Sequence, residues 1–279
     1  MRRLANKFFG LFGYALVRKT ARMSSVDDYV AWSKRVFGEK IYPVLDPSLK
    51  AATSLPTDSP VFDLVAGGLD AAEMRYAQAL LKDIKDRNVP GHLAEFGVFE
   101  GRWINRLHDL SMATGLEREI WGFDSFQGLS KPDSDKDEPF WEEGMFSAGI
   151  DLVRRNVKAA ERPSIVLVEG FFEESLSQEK AQSLEQIAYA RIDCDIYPPT
   201  VDCLEYLAPR LSHGAVLVFD DWSHTLNHGE TRAFAEWLPN VPKLEFEFLF
   251  YGLWDHFYVR VWHKGEPRWS LPDSALAVD

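Results

Sequence analysis

Cysteine is scarce in this chain. Cys194 and Cys203 are its only two, and they fall on an expected strand end and the helix after it. That leaves no disulfide framework and no zinc-ligand spacing, and it fits a reducing, cytoplasmic compartment. Positive charge is also short. The net charge is −12 over 279 residues, which repels a phosphate backbone and argues against nucleic-acid binding. No apolar run approaches the roughly 20 residues that span a bilayer. Neither the G-x-G-x-x-G of dinucleotide enzymes nor the G-x-x-x-x-G-K-[ST] of P-loop NTPases occurs, so the Walker-B-like run AVLVFDD does not make the chain an NTPase.

What is present is a good core, with 46% hydrophobic and 27% charged residues, as in soluble globular proteins. The charge is uneven. Residues 1–22 hold Arg2, Arg3, Lys7, Arg18, Lys19 and Arg22 and no acid, which leaves the remainder near −18. Within that segment Leu4, Ala5, Phe8, Phe9, Phe12, Ala15 and Leu16 repeat at three to four residues, the period of an amphipathic helix. Such a basic helix can lie on an anionic membrane surface, or pack on the protein or a partner subunit. RKTAR follows directly and no small-residue cleavage site is seen, so it is not read as a signal peptide. Residues 1–60 are expected to be this helix and an irregular segment, and 61–279 one domain.

From about residue 70 helix and strand patterns alternate. Strands are expected at 92–98, 119–125, 164–170, 187–193 and 214–221, and helices at 71–86, 102–113, 148–160, 178–186, 200–211 and 230–238. Two alternating runs, LEFEFLFYGL and HFYVRVWH, close the pattern. This implies an α/β fold: a mostly parallel sheet, helices on both faces, and an antiparallel C-terminal edge. Ligands of such sheets bind at the carboxyl ends of the strands.

Those ends carry the chemistry. The first ends in EFGVFEG, where Gly97 and Gly101 bracket a tight turn. The second ends in GFDSFQG, and Asp124 is placed either to accept ribose hydroxyls or to cap the next segment. Phe126 faces a base or fills core. The third ends in VEGFFEE, with Gly170 and Phe171. The fourth and fifth end in RIDCDIY and VFDDW, so Asp193, Asp195, Asp220 and Asp221 converge if the two strands are neighbours. Four bare carboxylates there repel one another. A divalent cation with a preference for oxygen (Mg2+, Mn2+ or Ca2+) resolves that, although helix capping accounts for one or two of the acids.

The ordered run EFGVFEG … GFDSFQGL … VLVEGFFEESL … RIDCDIYPPTVDCLEYLAPRLSHGAVLVFDDW … GETRAFAEW resembles the macrocin O-methyltransferase family over residues 70–262. The resemblance implies a Rossmann-like class I methyltransferase with a seven-stranded sheet. It implies an S-adenosylmethionine-dependent enzyme, using Mg2+ or Mn2+, that methylates a hydroxyl of a sugar in a glycoside or glycan. Glu95, Gly97, Phe99, Gly101, Asp124, Ser125, Phe126, Gly170, Phe171 and Asp193 match the cofactor-binding positions. Asp193, Asp220 and Asp221 match the metal-binding acids. Asp193, Asp195 or His224 is the expected catalytic base, with His228 a further candidate. A homo-oligomer is expected, as is peripheral membrane contact through residues 1–22 at the inner face. The acidic loop 131–144, with Phe140 and Trp141, is either a lid or an aromatic-anchored surface loop.

Two other readings compete. A D-x-D like that of Asp193–Asp195 also serves metal-dependent glycosyltransferases, but that reading leaves EFGVFEG and Asp220–Asp221 unexplained. A non-catalytic membrane-surface protein of the same fold is at odds with the retention of all four acids.

Overall fold

The computed structural model describes residues 60–222, 227–251 and 256–271. The N-terminal basic helix expected within residues 1–22 lies outside them, as does His224. Seven strands form one sheet in the order β3-β2-β1-β4-β5-β7-β6. They are β1 (His92–Phe96), β2 (Ile120–Asp124), β3 (Ile165–Glu169), β4 (Ile187–Ile192), β5 (Leu211–Phe219), β6 (Leu244–Tyr251) and β7 (Phe257–His263). β1 to β5 run parallel. The expected antiparallel pairing at the C-terminal end is present: β7 pairs antiparallel with both β5 and β6, and β6 forms the edge. Every residue of β4 is buried, because helices cover both faces and leave no wet side to alternate toward.

α1 (Pro60–Asp86) buries Tyr76, Ala77, Leu80, Leu81 and Ile84 along one stripe. It ends where Asn88 turns left-handed (φ 53°) and Val89 N–H reaches back to the Ile84 carbonyl at 2.9 Å. α2 (Arg102–Thr114) packs beside it through Trp103, Ile104 and Leu107. On the opposite face lie α6 (Tyr197–Leu207) and α7 (Gly229–Trp237), over Phe96, Phe123 and Phe219. Two cores thus sandwich the sheet.

Four helices differ from expectation, the first being α1, whose expected span is 71–86 and which starts eleven residues earlier, at Pro60. α3 is short, Ile150–Asn156. The helix expected at 178–186 is only Glu179–Gln182 (α5), preceded by another single turn, Phe172–Ser175 (α4). Serines interrupt this stretch: the Ser177 and Ser183 hydroxyls bond the carbonyls of Glu174 and Lys180, both at 2.7 Å, which competes with helix propagation. α6 starts three residues early. Pro198 and Pro199 sit in its first turn, where a missing N–H costs nothing.

Candidate active site

The carboxyl ends of β1 to β5 open onto a pocket of about 550 Å³. Its wall includes Gly97, Phe99, Asp124, Ser125, Phe171, Asp193, Asp195, Asp220 and Asp221, so nine residues named from the sequence come together there.

The half formed by β1 and β2 is built from backbone. Gly97 N–H donates to the Phe123 carbonyl at 2.8 Å, and Asp193 N–H donates to the Phe96 carbonyl at 2.8 Å. Gly97 has φ 92°, and a Cβ there would lie 1.6 Å from the Asp193 carbonyl oxygen. Only glycine lets the turn pass over the end of β4. Asp124 Oδ2 accepts from Val98 N–H at 2.7 Å and Phe99 N–H at 2.9 Å, while Oδ1 accepts from Phe126 N–H at 2.6 Å. Burial pushes its carboxyl up, and these three donors oppose that. Ser125 Oγ donates to the Gly128 carbonyl at 2.8 Å and accepts from Gln127 N–H at 3.0 Å. Phe99, Phe126 and Asp195 all hold left-handed backbone, with φ of 46°, 57° and 63°. Strain of this kind costs about 1–3 kcal/mol a residue and clusters at functional sites.

The half formed by β4 and β5 is built from side chains. The strands are direct neighbours, Ile192 opposite Phe219, and Asp220 N–H donates to the Ile192 carbonyl at 2.9 Å. One oxygen from each of Asp193, Asp220 and Asp221 lies within 4.8 Å of the others. Each acid is half-buried. An oxygen-only set of this size fits a hard divalent cation. Asp195 is pushed up to about 7 by burial and then by Asp193, and it shares a hydrogen bond with Asp221. Burial, followed by Asp195 and Glu230, raises Asp221 well above the usual carboxylate range.

Several residues that sequence reasoning passed over hold these acids. Arg191, 3% exposed, bonds Asp220 through Nη2 and lies 3.4 Å from Asp193 Oδ2 through Nε. The signal was available, since an arginine in a strand buried on both faces needs an anionic partner. Glu230, fully buried at the start of α7, accepts Cys194 N–H at 3.3 Å and Asp221 N–H at 3.2 Å. It clamps the two acid-bearing loops together. His256 and Glu73 lie behind Asp220, and nothing local in the sequence marks them.

Other sequence candidates stand off the wall. Glu95 is buried, with Oε2 unpartnered among the described residues, and burial followed by Asp193 raises its carboxyl. Gly101 begins α2, where a Cβ would come within 2.5 Å of Val157. Phe126 fills the core on the α1 side, and Gly170 (φ 131°) turns the chain into α4. His228 stands at the N-cap position of α7 without a side-chain bond to the helix, and its Nδ1 lies 3.1 Å from Glu138 Oε1. The loop 131–144 is anchored by an acid, not by its aromatics. Asp137 accepts Tyr197 N–H at 2.6 Å and Asp133 N–H at 2.7 Å, whereas Phe140 is 59% exposed and Trp141 reaches the pocket wall.

A second cluster, His213, His263 and Glu266, gathers near the start of β5. Its imidazoles are already engaged. His213 Nδ1 accepts His263 N–H at 2.9 Å, His213 Nε2 meets the Pro267 carbonyl at 2.9 Å, and His263 Nε2 meets that of Leu211 at 2.8 Å. Too few lone pairs remain for a metal. Among the described residues, no helix is long and apolar enough to cross a membrane.

Residues 50–238 match the macrocin-O-methyltransferase (TylF) family. The chain is 30% identical over 158 residues to demethyldecarbamoylnovobiocin O-methyltransferase of Streptomyces niveus, a match covering 51% of this chain and 56% of the relative. It is 30% identical over 151 residues to mycinamicin III 3''-O-methyltransferase of Micromonospora griseorubida, covering 48% and 56%. The chain thus spans little more than half the length of these curated relatives. Among solved structures, the calicheamicin methyltransferase CalS11 superposes with a TM-score of 0.55 at 23% identity, over 91% of this chain and 99% of that one. The O-methyltransferase NovP gives 0.55 at 22% identity, over 70% and 80%. These two likenesses establish the fold, a Rossmann-like methyltransferase sheet. The chain belongs to the macrocin-O-methyltransferase family.

Proposed function

We propose that this member of the macrocin-O-methyltransferase family transfers a methyl group from S-adenosylmethionine to a hydroxyl of a sugar, in a glycoside or glycan, with a divalent cation at the acids. The observation that carries this reading is the meeting, in one pocket, of the Asp124 turn and the Asp193–Asp220–Asp221 cluster. Glycosides are the substrate class because a matched relative from Streptomyces olivaceus, 29% identical over 144 residues, is named as the 4'-O-methyltransferase of a dimethoxy-rhamnosyl tetracenomycin.

In this reading Gly97, Phe99, Asp124, Ser125 and Phe171 hold the cofactor. Asp124 offers the lone pair left on Oδ1 to a ribose hydroxyl, and Glu95, Gly101, Phe126 and Gly170 shape the turns behind it. Asp193, Asp220 and Asp221 hold Mg2+ or Mn2+. When bound, S-adenosylmethionine supplies an electrophilic methyl on a sulfonium, and the cation lowers the pKa of a nearby hydroxyl and fixes its position. Asp195 is our candidate base. It lies on the pocket wall and, unlike Asp193 and Asp220, makes no ion pair with Arg191 among the described residues. Its carboxylate takes the hydroxyl proton as the oxygen attacks in line.

The test is methyl transfer from labelled S-adenosylmethionine to a panel of glycosides, with and without EDTA. Full activity in EDTA removes the cation from the account. Sugar transfer from a nucleotide sugar, with no methylation of any acceptor, replaces it with a glycosyltransferase.

We further propose that residues 1–60 form a basic segment separate from the methyltransferase domain at 61–279, and that the cytoplasmic protein is a homo-oligomer touching anionic membrane through residues 1–22. The support is the excess of six cations over acids in that stretch. Full-length protein should co-sediment with anionic vesicles, and a chain starting at Ser24 should not. Equal partitioning removes the membrane contact.

A further inference from the structure

Beneath the acids, on the α1 and α2 side of the sheet, runs a second layer of polar groups that the proposed chemistry does not use. Arg191 stands on β4, two residues before Asp193. Its guanidinium lies 4.0 Å over the Trp103 ring, which holds the plane of the fork. Nε faces Asp193 Oδ2 at 3.4 Å and Nη2 bonds Asp220 Oδ1. His256, just before β7, brings Nε2 to within 2.8 Å of the same Asp220 oxygen. Its Nδ1 lies 2.7 Å from Glu73 Oε1, which also accepts the Tyr258 hydroxyl at 2.9 Å. Glu73 comes from α1 and is 1% exposed.

A buried guanidinium is costly to desolvate, and neutralising the site requires no particular orientation. Here it touches one oxygen of each of two carboxylates on adjacent strands, so the second oxygen of each is left for a ligand. His256 adds a link from one of them to a different helix. We infer that Arg191, His256 and Glu73 are positioning residues that fix the spacing of Asp193 and Asp220 and so set the affinity of the acid cluster for a divalent cation. The inference rests on the reading that these acids hold a cation.

A positioning role and a simple counter-charge role predict opposite results. Removing a positive neighbour makes carboxylates more attractive to a cation. Removing a strut lets them swing apart and weakens the site. The experiment uses the full-length protein and Mn2+ alone, with free Mn2+ counted by electron paramagnetic resonance. S-adenosylhomocysteine affinity and melting temperature report whether each variant is folded. Arg191→Lys keeps the charge but loses the planar fork. His256→Gln reaches Asp220 or Glu73 but not both.

The expected result is a Kd for Mn2+ raised about 10–100-fold in Arg191→Lys and about tenfold in His256→Gln, the range typical of groups that orient metal ligands. S-adenosylhomocysteine affinity should stay within about threefold, the difference a positioning role predicts between the two ligands. If Arg191→Lys does not fold, His256→Gln decides alone. Mn2+ binding as tight as the parent's, or tighter, in either folded variant overturns the inference. A parent protein that binds no Mn2+ overturns both the cation reading and this inference. A parent that binds Mn2+ while the variants bind it equally well overturns the inference alone.

Discussion

The two halves of the pocket are made in different ways. At the ends of β1 and β2, backbone N–H groups, one glycine and one carboxylate do the shaping, and Asp124 meets partners 25, 26 and 2 positions away. At the ends of β4 and β5, Arg191 of β4 and His256 at the approach to β7 hold the carboxylates of Asp193 and Asp220, Glu73 of α1 backs His256, and Glu230 of α7 holds the backbone of Asp221. The first half is a pair of neighbouring turns stitched together. The second is a charge problem solved by long-range contacts. A half made of backbone fails by strain, and a half made of charges fails by loss of a partner, so damage to one should leave the other measurably intact.

The sharpest break is at Gly97, where the halves touch. Gly97→Ala should destabilise the protein by about 3 kcal/mol or more, because it combines left-handed strain with a clash against the Asp193 carbonyl. Urea unfolding measures this, and a loss under about 1 kcal/mol would mean that the turn can move away freely. Next in size is Asp221→Asn. Turnover should fall about 100-fold or more with the loss of one acid from the cluster, while S-adenosylhomocysteine titrates as in the parent. Smaller is Asp124→Asn. One acceptor oxygen becomes a donor facing N–H groups, and S-adenosylhomocysteine affinity should fall about tenfold, near 1.5 kcal/mol for a charge-assisted bond. Mn2+ affinity should not move. If Asp124→Asn weakened Mn2+, or Asp221→Asn weakened S-adenosylhomocysteine, the division into two halves would fail.

The same division governs what was legible in the sequence. β1 to β5 announced themselves as apolar runs ending in glycine or acid, so the sheet and the meeting of Asp193, Asp195, Asp220 and Asp221 could be anticipated. The tight turn expected at Gly97 is present, and the space the glycine frees is filled by the end of β4 as well as facing the pocket. Phe126 was open between base and core, and its side chain lies in the core. Of the struts, Arg191 carries a readable signal as a cation in a strand buried on both faces, while Glu73 and His256 carry none. Glu73 and His256 are 183 positions apart and carry no shared motif. Glu230 sits in a run, GETRAFAEW, whose helical period hides one buried carboxylate among its polar residues. Pattern reading sees each element's face. It does not see which polar residue on that face finds a partner on another element.

The measurement closest to the central claim is calorimetric titration of Mn2+ into the full-length protein saturated with S-adenosylhomocysteine, with Asp221→Asn beside the parent. The account predicts one Mn2+ per chain in the parent and at least about a tenfold loss of affinity in the variant, as for removal of a direct ligand. No binding by the parent, or equal binding by both, would contradict it.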